Sequence, residues 1–215
     1  MPKKCVRIIG DIHGRKSDYL NFANAAEYSI QIGDLDFTYE HLMSMDVNRH
    51  KWIGGNHDNY ELYYDEPHAL GDFGPISFLP NSFFLRGGFS IDWRNRVPGV
   101  SWWDKEELSF QELEKAVEAY NKAKPDILIA HECPLSLVPL ITDGRVTMAY
   151  GYPAVLETRT NRALERMLER HRPKLFIFGH FHRDIDMTID GTRFICLTAD
   201  TSYNCKQRFL DLPLS

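Results

Sequence analysis

Five short polar clusters stand out in the chain, each directly behind an apolar run. In chain order they are GDIHG at 10–14, GDL at 33–35, GGNHD at 54–58, HE at 131–132 and GHFH at 179–182. The candidate metal ligands in these clusters are Asp11, His13, Asp34, Asn56, His131, His180 and His182. They offer carboxylate, amide and imidazole donors, which suit manganese, iron or zinc better than copper(I) and are too rich in nitrogen for calcium or magnesium. Manganese is the expected metal, with iron, zinc or nickel as alternatives.

The number and spacing of these ligands favour two metal ions. Seven ligands are too many for one tetrahedral zinc ion, but they fit two ions about 3.5–4 Å apart if one carboxylate bridges them. In D-x-H and H-x-H, a period of two on an extended backbone directs both side chains to the same face. Each cluster alone could be a turn, a cap or a structural histidine. Five clusters of ligand type in one chain favour a metal site.

The apolar runs before these clusters predict an α/β fold. Five of them have strand character, at 5–9, 28–32, 51–53, 127–130 and 175–178. In open α/β sheets the carboxyl ends of the strands meet at one edge, and ligands bind there. The five clusters are therefore expected to converge in space.

Further elements follow from turn and capping signals. A second set of strands is predicted at 185–189, 193–197 and 207–210, the first two joined by an Asp190-Gly191 hairpin turn. One helix is predicted from Ser109, with Glu112 completing a capping box, to about Lys122, and another over 160–171. The Pro- and Gly-rich stretches 65–82 and 133–153 are predicted to be surface loops that wall a site.

The composition predicts a cytoplasmic protein with a single domain over 1–215. A hydrophobic share of 43% and a charged share of 26% are ordinary for a globular chain. The net charge of −5 disfavours broad wrapping of nucleic acid. No export signal, membrane span or membrane partner is expected, and the oligomeric state is left open. The cysteines form no C-x-x-C pair, so they are expected to be reduced and mostly buried: Cys5, Cys133, Cys196 and Cys205.

Taken together, the five clusters resemble the calcineurin-like metallophosphoesterases, whose motifs run D-x-H, G-D, G-N-H-D/E, H and G-H-x-H. All five are present in that order from Asp11 to His182, and the stretch at 86–109 is similar to a segment of compact bacterial and phage members. The resemblance implies a β-sandwich flanked by helices, in an α/β/β/α arrangement. It also implies a first ion on Asp11, His13 and His182, a second on Asn56, His131 and His180, and a bridging Asp34. His57 would face the substrate, with Asp58 behind it.

The expected chemistry is hydrolysis of a phosphomonoester or phosphodiester by a hydroxide that bridges the two ions, with His57 assisting the leaving oxygen. Asp58 would fix the tautomer of His57. The second motif, GDLDFTYE, lacks the arginine of phosphoprotein phosphatases, which argues against that activity. Arg94 and Arg96 are the candidate replacements for binding phosphate, and the alternative is that both are solvated surface residues.

The substrate is left open between a small phosphoester, a nucleotide and a nucleic-acid end, and a non-catalytic metal-binding interaction module is the remaining alternative. The tryptophans at 93, 102 and 103 have two interpretations, a packed patch or a surface on which a nucleobase stacks. The histidines outside the five clusters are expected to be surface or structural residues: His41, His50, His68 and His171.

Overall fold

The computed structural model describes residues 2–200 and 206–214, and within them the chain forms two β-sheets. The first sheet has four strands, in the spatial order β10 (Phe209–Pro213), β1 (Lys3–Ile9), β2 (Ala26–Gln31) and β3 (His50–Trp52). Strands β1, β2 and β3 are parallel, and β10 runs antiparallel to β1. The carboxyl ends of the three parallel strands therefore lie at one edge.

The second sheet has six strands. Their spatial order is β4 (Phe73–Ile76), β5 (Leu79–Leu85), β6 (Ile127–Ala130), β7 (Leu175–Phe178), β9 (Thr192–Cys196) and β8 (Ile185–Ile189). The four central strands are parallel, whereas the edge strands β4 and β8 pair antiparallel with their neighbours. The hairpin between β8 and β9 turns at Asp190-Gly191, as predicted, and both residues have the positive φ that this turn requires.

The helices are α1 (Lys16–Asn24), α2 (Phe110–Ala123), α3 (Val138–Ile141), α4 (Arg145–Ala149) and α5 (Arg159–Arg170). Short 3₁₀ turns lie at Glu40–Ser44, Tyr63–Asp65, Trp93–Asn95, Asp104–Glu106 and Leu135–Leu137. The predicted capping box of Ser109 and Glu112 is present at the start of α2. Helix α5 begins with a second capping box, formed by Thr158 and Asn161. Within the described ranges, none of the helices combines the length and the hydropathy that a membrane crossing requires.

Alternating side chains on the strands build the layers of the fold. Val6 and Ile8 on β1 pack with Ile129 and Ile177 of the second sheet, so this cluster fills the space between the sheets. Ile9, the residue after Ile8, belongs to a different cluster that includes Tyr19 of α1. The outer face of the second sheet packs against α2 and α5. The result is the expected α/β/β/α sandwich.

Two predictions about irregular segments need correction. The stretch 65–82 is not a loop throughout, since it contains β4 and the first half of β5. Pro75 and Gly74 fit there because β4 is an edge strand, whose outer backbone N–H groups need no partner in the sheet. The stretch 133–153 holds two short helices, α3 and α4. Helix α1 was not predicted, since its first residue follows Arg15, which provides no side-chain cap.

The other sequence predictions agree with the structure. The predicted strands are present, with shifts of one or two residues at most of their ends, although the last strand extends to Pro213 rather than ending at 210. Cys5, Cys133 and Cys196 are buried free thiols, as expected, and Cys205 lies outside the described residues.

Candidate metal centre

The structure brings the five polar clusters together where the two sheets meet. Asp11, Asp34 and Asn56 follow the carboxyl ends of β1, β2 and β3, and His131 and His180 follow those of β6 and β7. Asp11 also forms an isolated bridge with Thr198, which lies beyond β9 in the second sheet. Both sheets therefore contribute candidate ligands to one site.

The first group of ligand atoms comes from Asp11, His13, Asp34 and His182, and these atoms all lie within 4.8 Å of one another. The Nε2 atoms of His13 and His182 face each other at 2.9 Å. The His182 Nε2 atom also lies 2.9 Å from Asp11 Oδ2, and His13 Nε2 lies 3.6 Å from Asp34 Oδ2. The donors thus converge on one point, as ligands of a single cation do.

The second group is centred on Asn56. Its Oδ1 atom lies 3.0 Å from His131 Nε2 and 2.8 Å from His180 Nδ1. The same His131 Nε2 atom is 3.3 Å from Asp34 Oδ1. One oxygen of Asp34 therefore faces the second group while the other faces His13 of the first.

The buried carboxylates of the site are suited to binding a cation. Asp11 Oδ1 is buried and has no hydrogen-bond partner within residues 2–200 and 206–214, although an unpartnered buried carboxylate oxygen is costly. Burial would raise the pKa of the Asp34 carboxyl, but His131, His57 and His13 around it lower that pKa well below the usual value. Asp34 is therefore ionised, and the donor set of carboxylate, amide and imidazole groups suits a transition metal.

Backbone strain is concentrated on the candidate ligands. Seven non-glycine residues in the described chain have a positive φ, and four of them are candidate ligands: His13, Asp34, His180 and His182. Such conformations cost on the order of 1–3 kcal/mol each and are typical of functional sites. Position 179 requires glycine for a different reason, because a Cβ atom there would lie 2.1 Å from Asp11 Oδ1. The backbone has to approach the carboxylate closely at this position.

Groups outside the predicted set contact three of the ligands, and hydrogen bonds orient two of them, His131 and Asn56. The Nδ1 atom of His131 lies 3.0 Å from the carbonyl oxygen of Ile32, which leaves Nε2 to face the site. The His180 Nε2 atom is 3.6 Å from the carboxylate of Glu132, the second residue of the HE cluster. The Asn56 Nδ2 atom donates to Ser90 Oγ at 3.2 Å, which turns Oδ1 toward the two histidines.

Ser90 is held in turn by Glu106. Both residues are buried, and the carboxylate of Glu106 accepts from the Ser90 backbone N–H at 2.7 Å and from its hydroxyl at 2.6 Å. Burial raises the pKa of Glu106 to about 7, while the two bonds from Ser90 oppose that rise. Sequence reasoning missed both residues, because neither belongs to a ligand motif and only folding brings the segment 86–109 against Asn56.

The expected role of Asp58 requires correction. Its carboxylate accepts backbone N–H bonds from Asp34, Leu35 and Gly55 at 2.7–2.9 Å and from Asp36 at 3.2 Å. Asp58 therefore holds together the two loops that carry Asp34 and Asn56, rather than standing behind the His57 ring. These loop amides need an acceptor in a region that water does not reach.

His57 lies at the site beside Arg96. The His57 Nε2 atom pairs with Arg96 Nη2, and Arg96 also forms an ion pair with Asp92 at 2.7 Å. The His57 ring packs edge-on against His13, with the ring centroids 5.1 Å apart. Burial and the Arg96 charge, opposed by Asp34, lower the pKa of His57 to about 4. The imidazole is therefore neutral at pH 7.

The two candidate phosphate-binding arginines occupy different places. Arg96 lines the cleft that contains Asp34, Asn56 and His57. Arg94 lines a neighbouring depression, where its guanidinium lies over Trp93 and beside Tyr152. Of the pair, only Arg96 reaches the metal-site cleft.

The three tryptophans also occupy two different places, the core and the neighbouring depression. Trp103 is buried and packs against Phe37, so it belongs to the core and offers no stacking surface. Trp93 and Trp102 lie 5.4 Å apart in the neighbouring depression, and the Trp93 Nε1 atom donates to Tyr152 Oη.

The histidines outside the clusters have structural contacts, as expected. His50 pairs with Ser29, His68 with Glu66 and His171 with the carbonyl oxygen of Pro125. His41 packs edge-on against Tyr19.

Sandwiched sheets between helices, with histidines and carboxylates at the strand ends, define the metallophosphoesterase fold class. The sequence profile of the family "Calcineurin-like phosphoesterase" matches residues 6–184. The chain therefore belongs to the calcineurin-like phosphoesterases. A search of curated proteins found no significant match.

Solved structures with this fold include a phosphopantetheinyl hydrolase from Mycobacterium tuberculosis. It is 18% identical, the alignment covers 97% of this chain and 95% of that chain, and the TM-score is 0.51. A less similar match is a protein from Staphylococcus aureus provisionally assigned as a 5′-nucleotidase, at 15% identity and a TM-score of 0.46. The alignment with it covers 98% of this chain but only 54% of that chain. The chain thus spans about half the length of the S. aureus protein.

Proposed function

We propose that the protein is a dinuclear-metal-dependent phosphoester hydrolase that acts on a small phosphomonoester or phosphodiester, with residues 1–215 forming one catalytic domain. The observation that carries the proposal is the position of Asp34. Its Oδ2 atom faces His13 at 3.6 Å and its Oδ1 atom faces His131 at 3.3 Å, so one carboxylate lies between two groups of ligands.

In this proposal Asp11, His13 and His182 would hold the first ion, Asn56, His131 and His180 would hold the second, and Asp34 would be a ligand of both. Manganese is the expected metal, with iron, zinc or nickel as alternatives. Bound there, two divalent ions supply the nucleophile by lowering the pKa of water and neutralise charge on the phosphoryl oxygens.

The chain's own residues do the remaining work. Arg96 donates hydrogen bonds to the phosphoryl oxygens. As the substrate enters, these bonds replace part of the contact of Arg96 with Asp92 and His57. His57 is neutral, so its ring retains one N–H that donates to the leaving oxygen. Asp58 contributes indirectly, by fixing the loops that carry Asp34 and Asn56.

The test is hydrolysis of a chromogenic phosphomonoester and the matching diester, with Mn²⁺ and with chelator. Wild-type turnover is expected to require metal, and His57→Ala is expected to lower kcat by about 10²–10⁴-fold with unchanged metal content. His171→Ala is the matched control, because His171 lies outside the five clusters and its ring contacts the carbonyl oxygen of Pro125. Loss of metal from His57→Ala would reassign His57 as a ligand. Metal uptake without turnover of either ester would instead favour a non-catalytic binding module.

A nucleotide or a nucleic-acid end is the second candidate substrate. Its support is the Trp93–Trp102 pair beside Arg94, which forms a ring-lined depression that shares Phe89 with the metal-site cleft. Comparison of a nucleoside 4-nitrophenyl phosphodiester with phenyl 4-nitrophenyl phosphate tests it. Trp102→Ala should then weaken kcat/KM for the nucleoside ester alone.

A further inference from the structure

The candidate metal centre occupies one end of a much larger cleft. The cavity has a volume of about 570 Å³, which is in the range of pockets that enclose whole small molecules. Asp34, Asn56, His180 and His182 line one end of it. Much of the remaining lining comes from the segment 138–158, which carries no candidate ligand. This remaining space is available to the organic part of a bound ester.

The wall beyond the metal centre is apolar. Its hydrophobic lining residues are Val138, Val146, Tyr150 and Leu156. The cleft is also lined by Phe89, by Ile91 and by Phe181, which stands between His180 and His182 in the chain. Its polar lining residues are neutral: Thr142, Thr147, Thr158 and Asn161. The charged lining residues are grouped at the ligand end, where Arg96 contacts His57 and Asp92, and Glu132 and Arg183 are chain neighbours of His131 and His182. An uncharged group is therefore the one that this wall can bind without leaving a charge unpaired.

Part of this wall is unusually exposed for its composition. Val146 has 57% of its surface exposed and Tyr150 has 41%, and both line the cleft. Contiguous exposed apolar side chains beside a polar rim are typical of ligand-binding grooves. The exposed side chains of Val146 and Tyr150 therefore lie where a ligand bound at the candidate metal centre would cover them.

The wall is also held in a defined shape. Gly144 has a φ of 71°, and a Cβ atom there would lie 2.4 Å from the carbonyl oxygen of Ala154. The Thr147 hydroxyl is 2.7 Å from the Gly144 carbonyl and 3.1 Å from the Ala154 carbonyl, which ties the two ends of the loop together. A wall fixed in this way can bind its ligand without the cost of ordering a loop.

From these observations we infer that the wall formed by Val146, Tyr150 and Leu156 binds the organic group of the substrate, and that this group is an uncharged alkyl or aryl chain. The inference rests on the proposed function, because it places the phosphoryl group at the metal centre. It deepens that proposal by selecting apolar phosphate esters over sugar phosphates and other highly polar ones.

The test is a series of n-alkylphosphonates, from methyl to hexyl, titrated calorimetrically into the full-length protein loaded with Mn²⁺. Full burial of each methylene corresponds to about a fourfold gain in affinity, so a rise of about two- to fourfold per carbon is expected. In parallel, kcat/KM is measured for the matching n-alkyl 4-nitrophenyl phosphodiesters.

Val146→Asp introduces a charge on the wall and is expected to flatten both series. Leu140→Asp is the matched control, since Leu140 is 60% exposed on the neighbouring helix α3 and does not line the cleft. An affinity that is independent of chain length would overturn the inference, as would equal responses of the two variants.

The two proposals fail in different ways. Chain-length-dependent binding without hydrolysis of any ester would reject the hydrolase function and keep the apolar subsite. Metal-dependent hydrolysis with a flat series would reject the subsite and keep the hydrolase. No binding of any phosphonate would overturn the apolar subsite, whatever the result with the esters.

Discussion

The contact between Ser90 and Asn56 leads to a prediction that can be worked out from the structure. Ser90→Ala removes the oxygen that accepts from Asn56 Nδ2 at 3.2 Å and the hydroxyl that donates to Glu106 at 2.6 Å. The Asn56 amide can then rotate and present its NH₂ group to the ligand side. Since partners that orient metal ligands typically contribute 10–100-fold in metal affinity, a loss of about that size is expected for Mn²⁺.

The same substitution also destabilises the metal-free protein, because it leaves buried polar groups without a partner. The expected loss is about 1–3 kcal/mol in the free energy of unfolding. Ser82→Ala is the matched control, since Ser82 is also buried and its hydroxyl donates to the Leu79 carbonyl on β5, away from the candidate ligands. It should lower stability without a change in metal affinity.

The assay is a Mn²⁺ titration of each variant, followed by urea unfolding with excess chelator. Glu106→Gln retains an acceptor for Ser90 and is expected to bind metal more tightly than Ser90→Ala does. If Ser90→Ala loses stability as Ser82→Ala does yet binds Mn²⁺ as the wild type does, then His131 and His180 orient Asn56 by themselves and the reasoning is refuted.

Two further predictions concern close packing and charge. Gly179→Ala would place a Cβ atom 2.1 Å from Asp11 Oδ1 and displace that carboxylate, so we expect at least about a tenfold loss of Mn²⁺ affinity. Gly191→Ala is the control, because its Cβ atom would meet nothing within 4 Å although Gly191 has a φ of 83°. It should alter only the melting temperature. Arg7 and Lys3 lower the pKa of Asp211 to about 2, so the stability they share with ionised Asp211 is complete above about pH 4 and is lost as the pH falls through 2. The melting temperatures of wild type and Asp211→Asn should therefore differ at pH 6 and converge near pH 2, and a constant difference over that range would contradict this account.

Local patterns were sufficient for much of the architecture and for the identity of the candidate ligands. The capping box of Ser109 and Glu112 and the Asp190-Gly191 hairpin turn depend on neighbouring residues only, so the sequence identifies them directly. The polar clusters were recognisable because ligand-type residues recur directly after strand-forming runs. Parallel strands then bring those clusters to one edge, which makes their convergence predictable from fold class alone.

Tertiary packing decided the features that depend on residues distant in the chain. Asp58 belongs to a recognisable motif, yet its carboxylate binds the backbone of a loop 22–24 residues away. Trp103 is buried against Phe37, and the pairing of β4 with β5 made strands of a segment rich in proline and glycine. Residue type alone cannot predict such outcomes, because each is set by whichever partner the folded chain brings within reach.

The sequence by itself thus determined the chemistry that the strand ends can perform, since ligand type and spacing are local properties. Only the tertiary structure decided how Asn56 is oriented, where Arg96 meets His57 and which apolar wall adjoins the candidate metal centre. Each of these depends on the segments 86–109 and 138–158 folding over the sheet edge, and the free energy that fixes their positions comes from burial and hydrogen bonds with distant residues.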